Sequence, residues 1–171
     1  MSMATRATRA LDAAGVAYRL HPYDYEAGAA VGKGLQAAAA LGLAPDRVLK
    51  TLMAWVDARA VCAVVPSDRQ LQPKALAAAC GGKAARMMEA AEAERRSGYK
   101  VGGVSPFGQQ RPVPVWFEHD ALAAPSVWIN AGKRAESFGH DLYTNLRTLD
   151  KAGCVRILVQ EVPGDERWDA I

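Results

Sequence analysis

Two apolar runs held apart by a three-residue turn constrain this chain more than any other feature. Val48–Val56 and residues 60–65 are rich in β-branched and other apolar side chains, with Asp57-Ala58-Arg59 between them. That pattern predicts a β-hairpin. Short helices mix with strands along the rest of the chain.

The flanking sequence supplies those helices. Residues 5–14 place Ala7, Ala10, Leu11 and Ala14 on one helical face, and Gly15 marks a stop. Residues 16–23 alternate as a strand does. Residues 28–34 read as loop, residues 35–41 as an Ala-rich helix ended by Gly42, and Pro45 suits the start of a short helical turn. Residues 73–80 and 87–96 read as helices, closed by Gly81-Gly82 and Ser97-Gly98. A glycine-rich loop over residues 99–108 follows, then short strands at 113–117 and 127–130. A helix at 141–149 carries Leu142, Leu146 and Leu149 on one face, and a last strand spans 155–160. No linker interrupts this order. The expectation is one domain over residues 1–162 with a C-terminal tail at 163–171. Strands that arrive both as hairpins and after helices predict a mixed α/β fold, with a curved, barrel-like β-sheet surrounded by short helices.

A chain of 171 residues can bury a core without disulfides or metal. Its cysteines, Cys62, Cys80 and Cys154, are odd in number and widely spaced, which fits neither a disulfide framework nor a zinc site. His21, His119 and His140 are isolated and lack metal-ligand spacing. No metal and no cofactor are therefore expected. No apolar run approaches the roughly 18 residues of a membrane span, and the N-terminus has no signal-peptide core, so the expected location is the cytoplasm, with no membrane partner. The excess of 21 basic over 18 acidic residues permits contact with a polyanion without demanding it.

Three segments could carry chemistry. In Val48-Leu49-Lys50-Thr51-Leu52 a lysine stands inside an apolar strand. Lysine is seldom buried unpaired, so Lys50 is either an edge residue reaching for solvent or a pocket residue facing an anion or a polarised carbonyl. In residues 97–109 the four glycines Gly98, Gly102, Gly103 and Gly108 would let backbone amides approach a ligand. The spacing is neither that of a P-loop nor that of a dinucleotide fingerprint. In Asn130-Ala131-Gly132-Lys133-Arg134 a flexible turn carries two positive charges, which suits either phosphate or plain solvent. There is no Gly-x-Ser-x-Gly elbow and no His-Glu-x-x-His motif. The residues alone indicate an anion-binding α/β domain.

Taken together and in this order, the three segments resemble the YbaK/prolyl-tRNA synthetase-associated editing family. Lys50 matches its strand lysine, Gly102 and Pro106 its Gly-x-x-x-Pro loop, Gly132-Lys133-Arg134 its basic turn, and Tyr23 its early tyrosine. The resemblance covers roughly residues 5–160. It implies hydrolysis of mischarged tRNA such as Cys-tRNA(Pro) or Ala-tRNA(Pro), with the aminoacylated 3′ end of tRNA as partner and a prolyl-tRNA synthetase as a second. It also implies roles: Lys50, Gly102 and Gly103 at the reacting ester, with Tyr23, Ser105, Pro106, Gly132, Lys133, Arg134 and Ser137 binding substrate. For the cysteinyl case it implies attack by the substrate's own thiol. The sequence departs from the family pattern at Ser137, where an acidic residue is usual, and at Asn130-Ala131, where Ser-Gly is frequent. These departures leave the edited amino acid open. Two other readings stand beside this one: a non-catalytic tRNA-binding or synthetase-associated module, and a hydrolase or binding protein for a small anionic metabolite.

Overall fold

A computed structural model describes residues 5–23, 32–132 and 138–143. Its central feature is the predicted hairpin, β2 (Val48–Val56) and β3 (Arg59–Pro66), paired in antiparallel register from Leu49↔Pro66 to Val56↔Arg59. Asp57 turns the chain with φ +52°. Its carboxylate accepts from the amides of Lys83 (3.1 Å) and Ala84 (3.0 Å), which hold its pKa below the ordinary aspartate value. This ties the hairpin to a three-residue strand, β4 (Ala85–Met87), that pairs with the end of β2.

Around the hairpin lie β1 (Tyr18–Pro22), β5 (Val115–Phe117), β6 (Ser126–Asn130) and β7 (Phe138–Tyr143). The sheet order is β1-β7-β6-β2-β3-β5, with β4 on β2 outside that path. The β2–β6 and β3–β5 pairs are parallel and the others antiparallel, so the sheet is mixed as expected. It is open, with β1 and β5 at its ends, and does not close into a barrel.

The period-2 alternation of strands distributes the hairpin between two cores. Leu49, Met53, Cys62 and Val64 enter the larger one with Leu11, Phe107, Phe117 and Ile129. Ala54, Val56, Val61 and Ala63 face the other way, onto Leu76 and Ala77 of α3 (Pro73–Ala79). Helix α1 (Arg6–Ala13) starts on a reciprocal cap. Thr8 N donates to Thr5 Oγ1 (3.1 Å) and Thr5 N donates to Thr8 Oγ1 (2.8 Å), leaving Ala7 and Leu11 to enter the core. Helix α2 (Lys33–Leu41) lays Ala37 and Ala38 on Val48, and α4 (Ala90–Ser97) buries Ala93.

Several expectations need correction. The helix foreseen at 141–149 begins on residues that belong to β7; Asp141 pairs with both Arg19 and Trp128, and that two-sided pairing overrides the helical spacing of the leucines. Residues 87–89 precede α4 rather than open it, because Met87 is in β4. Lys33 and Gly34, expected in loop, form the first turn of α2. The short helix α5 (His119–Ala123) was not foreseen; Glu118 caps it by accepting from Ala121 N at 3.0 Å. The strand foreseen at 155–160 and the tail at 163–171 lie outside the described residues.

Leu76 is fully buried between α3 and the hairpin. Leu76→Ala is expected to cost about 2–5 kcal/mol, read as a lowered urea midpoint with an unchanged m-value.

Candidate functional site

Strand β2 has β3 along one side for nearly its whole length, but its other side is divided. β6 pairs only with Val48 and Leu49, and β4 only with Ala54 to Val56. Lys50 to Leu52 therefore have no strand neighbour on that side among the described residues. A cavity of about 550 Å³ opens in the fork. Residues 48–53 form one wall, Trp128 to Asn130 and Met87-Met88 the branches of the fork, and the first turn of α2, Ala90 and Ala93 of α4, and Val101, Gly102 and Val104 the remainder. The size suits a small ligand or the end of a larger one. Most of the wall is apolar. Lys33 and Lys50 line it, and no Asp, Glu, His or Cys does among the described residues.

Lys50 is half-buried and its amine is held in place. It donates to the backbone carbonyl of Ser67 at 3.3 Å and to that of Arg69. Burial lowers its pKa below the ordinary lysine value, and the charge of Asp68 opposes that shift. The segment that carries the two carbonyls is itself clamped. Ser67 N and Ser67 Oγ both donate to Val48 O, at 2.8 and 2.6 Å, and the Arg69 guanidinium pairs with the buried Glu118 carboxylate at 3.0 Å. Two carbonyls occupy two of the three ammonium donors, which leaves one for a ligand.

The glycine-rich loop forms a second wall. Its start is fastened to α4: Glu94 accepts from Lys100 Nζ (2.6 Å) and from Val101 N (3.0 Å), and both contacts lower the Glu94 pKa. Its far side is fastened from beneath, where Tyr99 Oη donates to Phe107 O (2.6 Å) and Gln109 Nε2 donates to Ser105 O (3.1 Å). Gly102 lines the cavity with φ +86°, and its N–H has no acceptor among the described residues. Gly103 differs. Its N–H is committed to Lys100 O at 2.8 Å, inside the turn, so of this glycine pair only Gly102 has an amide available. Ser105 and Pro106 are buried behind the loop and do not line the cavity. Ser105 Oγ instead accepts from Phe107 N.

Asn130 joins the loop to the third segment. Its Oδ1 accepts from Gly132 N (2.7 Å) and its Nδ2 donates to Gly102 O (3.4 Å). Gly132 has φ +80°, and a Cβ there would overlap the ring of the buried Tyr99. Tyr23 is half-buried with Ala37, Ala38, Val48 and Trp128, beside the cavity wall rather than in its lining. Lys133, Arg134 and Ser137 lie outside the described residues.

Sequence reasoning did not name Lys33, Ser67 or Arg69 as site residues, and it gave no role to Thr51 or Asn130, although both stand in the segments it singled out. Thr51 Oγ1 is buried at the cavity without a hydrogen-bond partner among the described residues. The basic residues near the loop are largely paired or stacked: Glu92 takes Arg95 and Arg96, and Arg96 lies 4.6 Å over the Trp55 ring. Of the cysteines among the described residues, burial pushes the Cys62 thiol up to about 12 and the Cys80 thiol up to about 11, which disfavours the nucleophilic thiolate. Among the described residues no cluster of His, Cys, Asp and Glu could hold a metal ion, and no helix is long and apolar enough to cross a membrane.

Residues 31–144 match the aminoacyl-tRNA editing domain family. The chain is 34% identical over 98 residues to EbsC of Enterococcus faecalis, a candidate Cys-tRNA(Pro)/Cys-tRNA(Cys) deacylase; the match spans 57% of this chain and 60% of that protein. Among solved structures, the hypothetical protein APE2540 superposes with a TM-score of 0.73 at 22% identity, over 90% of this chain and 97% of its own. A candidate trans-editing enzyme for prolyl tRNA synthetase superposes with a TM-score of 0.68 at 24% identity, over 92% of this chain and 97% of its own. At these identities the superpositions establish the fold.

Gly102 and Gly132 both need positive φ, but their surroundings differ. A Cβ on Gly102 would meet only the flexible end of Lys33, whereas one on Gly132 would meet a buried ring. Gly102→Ala is expected to cost about 1–2 kcal/mol from backbone strain alone. Gly132→Ala should cost more, by at least about 1 kcal/mol of overpacking, in parallel urea titrations.

Proposed function

The chain belongs to the aminoacyl-tRNA editing domain family, and from that premise we propose that it is a trans-editing deacylase, a hydrolase that removes a wrongly attached amino acid from tRNA. The favoured substrates are Cys-tRNA(Pro) and Ala-tRNA(Pro), made when a prolyl-tRNA synthetase mischarges its tRNA. The observation that carries this reading is the convergence of Lys50 and the unengaged Gly102 amide on one mostly apolar cavity.

The reaction breaks the ester between the amino-acid carbonyl and the ribose of the terminal adenosine. Attack on the carbonyl carbon forms a tetrahedral oxyanion. Collapse expels the ribose oxygen, which takes up a proton. A preorganised backbone donor stabilises the oxyanion, and a dry wall strengthens that interaction. Gly102 supplies the donor, and Asn130 anchors the following peptide by donating to the Gly102 carbonyl. Lys50, steadied by the Ser67 and Arg69 carbonyls, directs its remaining N–H at the ester. The cavity offers no Cys or His as nucleophile or base among the described residues. The attacking group in this reading is water or, as the family resemblance implies for a cysteinyl substrate, the substrate's own thiol.

The test is deacylation of Cys-tRNA(Pro), Ala-tRNA(Pro) and Pro-tRNA(Pro) by the purified protein. Loss of one mischarged species, with kcat/KM at least about 10²-fold lower in Lys50→Ala, is the expected result; no loss of any species would leave a binding module with this fold. The Lys50 pKa direction adds a pH signature. The protonated amine is the active form, and burial moves its deprotonation below the ordinary lysine range. After subtraction of uncatalysed hydrolysis, wild-type activity should fall on an alkaline limb below pH 10.5. That limb should move to higher pH in Lys50→Arg.

A further inference from the structure

A concentration of positive charge lies beside the cavity rather than in it. β4 and α4, which both contribute to the cavity wall, also carry arginines that the site does not use. Trp55 stands at their centre. The Arg96 guanidinium lies 4.6 Å from the centre of its ring, and that of Arg86, its cross-strand partner, lies 5.9 Å from it. Arg111 comes next, because its N–H donates to Arg96 O at 2.9 Å. Gln110 N donates to Ser97 O in the same way, and a Cβ on Gly98 would touch both Gln110 and Arg6. Arg86, Trp55, Arg96, Arg111 and Arg6 thus lie in succession, starting next to Met87 at the cavity wall.

This string is not neutralised from within. Among the described residues its carboxylate is Glu92, which is shared between Arg95 and Arg96. Glu94 is taken by Lys100, and Glu89 makes no ion pair among the described residues. Arg86, Arg111 and Arg6 are exposed and have no acidic partner there either. Two guanidiniums on one indole are near enough for their charges to add at physiological ionic strength. The indole holds their planes without cancelling the charge. A lone anion would meet one end of such a string, whereas an extended polyanion meets all of it. If the cavity takes the 3′ end of a tRNA, the backbone that continues from that end must cross an adjoining surface.

We propose that the arginine string is a second tRNA-contact surface, which takes backbone phosphates behind the 3′ end while the cavity holds the aminoacyl ester. The assignment rests on the deacylase reading. The string then matters for whole tRNA and not for the ester alone.

The experiment sets the mischarged tRNA that the wild type cleaves against the 3′-aminoacyl ester of adenosine with the same amino acid. Arg86 and Arg111 are the residues to change, since both are exposed and neither has an ion pair among the described residues. In the double variant Arg86→Gln/Arg111→Gln, kcat/KM on tRNA should fall about tenfold, mainly through KM, and stay within about twofold of wild type on the adenosine ester. Fluorescence anisotropy with the same tRNA uncharged should show log Kd depending less steeply on log salt, by about one for each phosphate contact removed. Arg86→Lys/Arg111→Lys, which keeps both charges, should keep the wild-type slope. Unchanged tRNA kinetics and salt slope in the Gln variant would overturn the assignment and leave the string to an acidic protein or to solvent. Equal losses on tRNA and on the adenosine ester would also overturn it, since the arginines would then act on the site through the fold. If the wild type cleaves tRNA but not the adenosine ester, the salt slope decides alone. A wild type that cleaves no mischarged tRNA would instead remove the deacylase reading, and this assignment with it.

Discussion

A strand inside a sheet has two edges to satisfy, and β2 satisfies one of them with two different strands. β6 leaves after Leu49 and β4 arrives at Ala54. The site depends on the interval between them. Extending either branch across it would make an ordinary ladder, and the backbone of Lys50 to Leu52 would be paired instead of facing a cavity. The fork is stable because each branch is fixed at a distance. β6 is held by β7 on its far side, and β4 by the Asp57 carboxylate, which accepts from the two residues before it. Buried polar backbone is costly unless paired, so a gap of this kind is a place where the fold leaves hydrogen-bonding capacity to a ligand.

The same interval explains how a lysine can belong to such an apolar strand. An ammonium drawn from water into an apolar wall loses hydration that must be replaced. The Ser67 and Arg69 carbonyls replace much of it, and the Arg69–Glu118 ion pair keeps their segment in place. This arrangement stabilises the charged form only in part, since burial still lowers the Lys50 pKa. A fully neutralising partner such as a carboxylate would have satisfied the amine and silenced it. Neutral carbonyls leave the ammonium its positive charge in a residue that lines the cavity.

Much of this architecture could be read from the sequence, because it is encoded locally. The hairpin follows from two apolar runs and a turn, and α1 from the spacing of Ala7 and Leu11. Lys50 drew attention because it interrupts an apolar strand, and Gly102 because it belongs to a glycine-rich loop. What could not be read depends on contacts between segments. Residues 85–87 are too few to show a period, and β4 exists because β2 has a free edge there. The leucines at 142, 146 and 149 suggest a helix, yet 138–143 are taken by strands on both sides. Gly102 and Gly103 are equivalent as letters, and only the orientation of their peptides shows that one amide is spent on Lys100 O. Ser67 and Arg69 serve Lys50 through backbone carbonyls, which every residue possesses, so no side-chain signature announces them.

The lining also bears on how a deacylase of this shape would choose its amino acid. Walls of Leu, Val and Met discriminate mainly by size, and one methylene in such a pocket is worth only about 1–3 kcal/mol. Rejecting the larger proline while admitting alanine is the direction in which size does discriminate, provided the pocket wall cannot yield. A site that rejects the correct amino acid therefore needs either a steric limit set by rigid backbone or a polar group that favours the wrong one. Both are present here. Gly102 brings backbone to the cavity wall, and Asn130 holds its carbonyl. Thr51 Oγ1 is buried at the wall with no partner among the described residues. An unpaired buried hydroxyl discriminates more sharply than an apolar surface, since a ligand that cannot bond to it leaves the desolvation cost standing. In a deacylase of this shape, an unpaired hydroxyl at the position of Thr51 would favour a side chain with hydrogen-bonding capacity over one without.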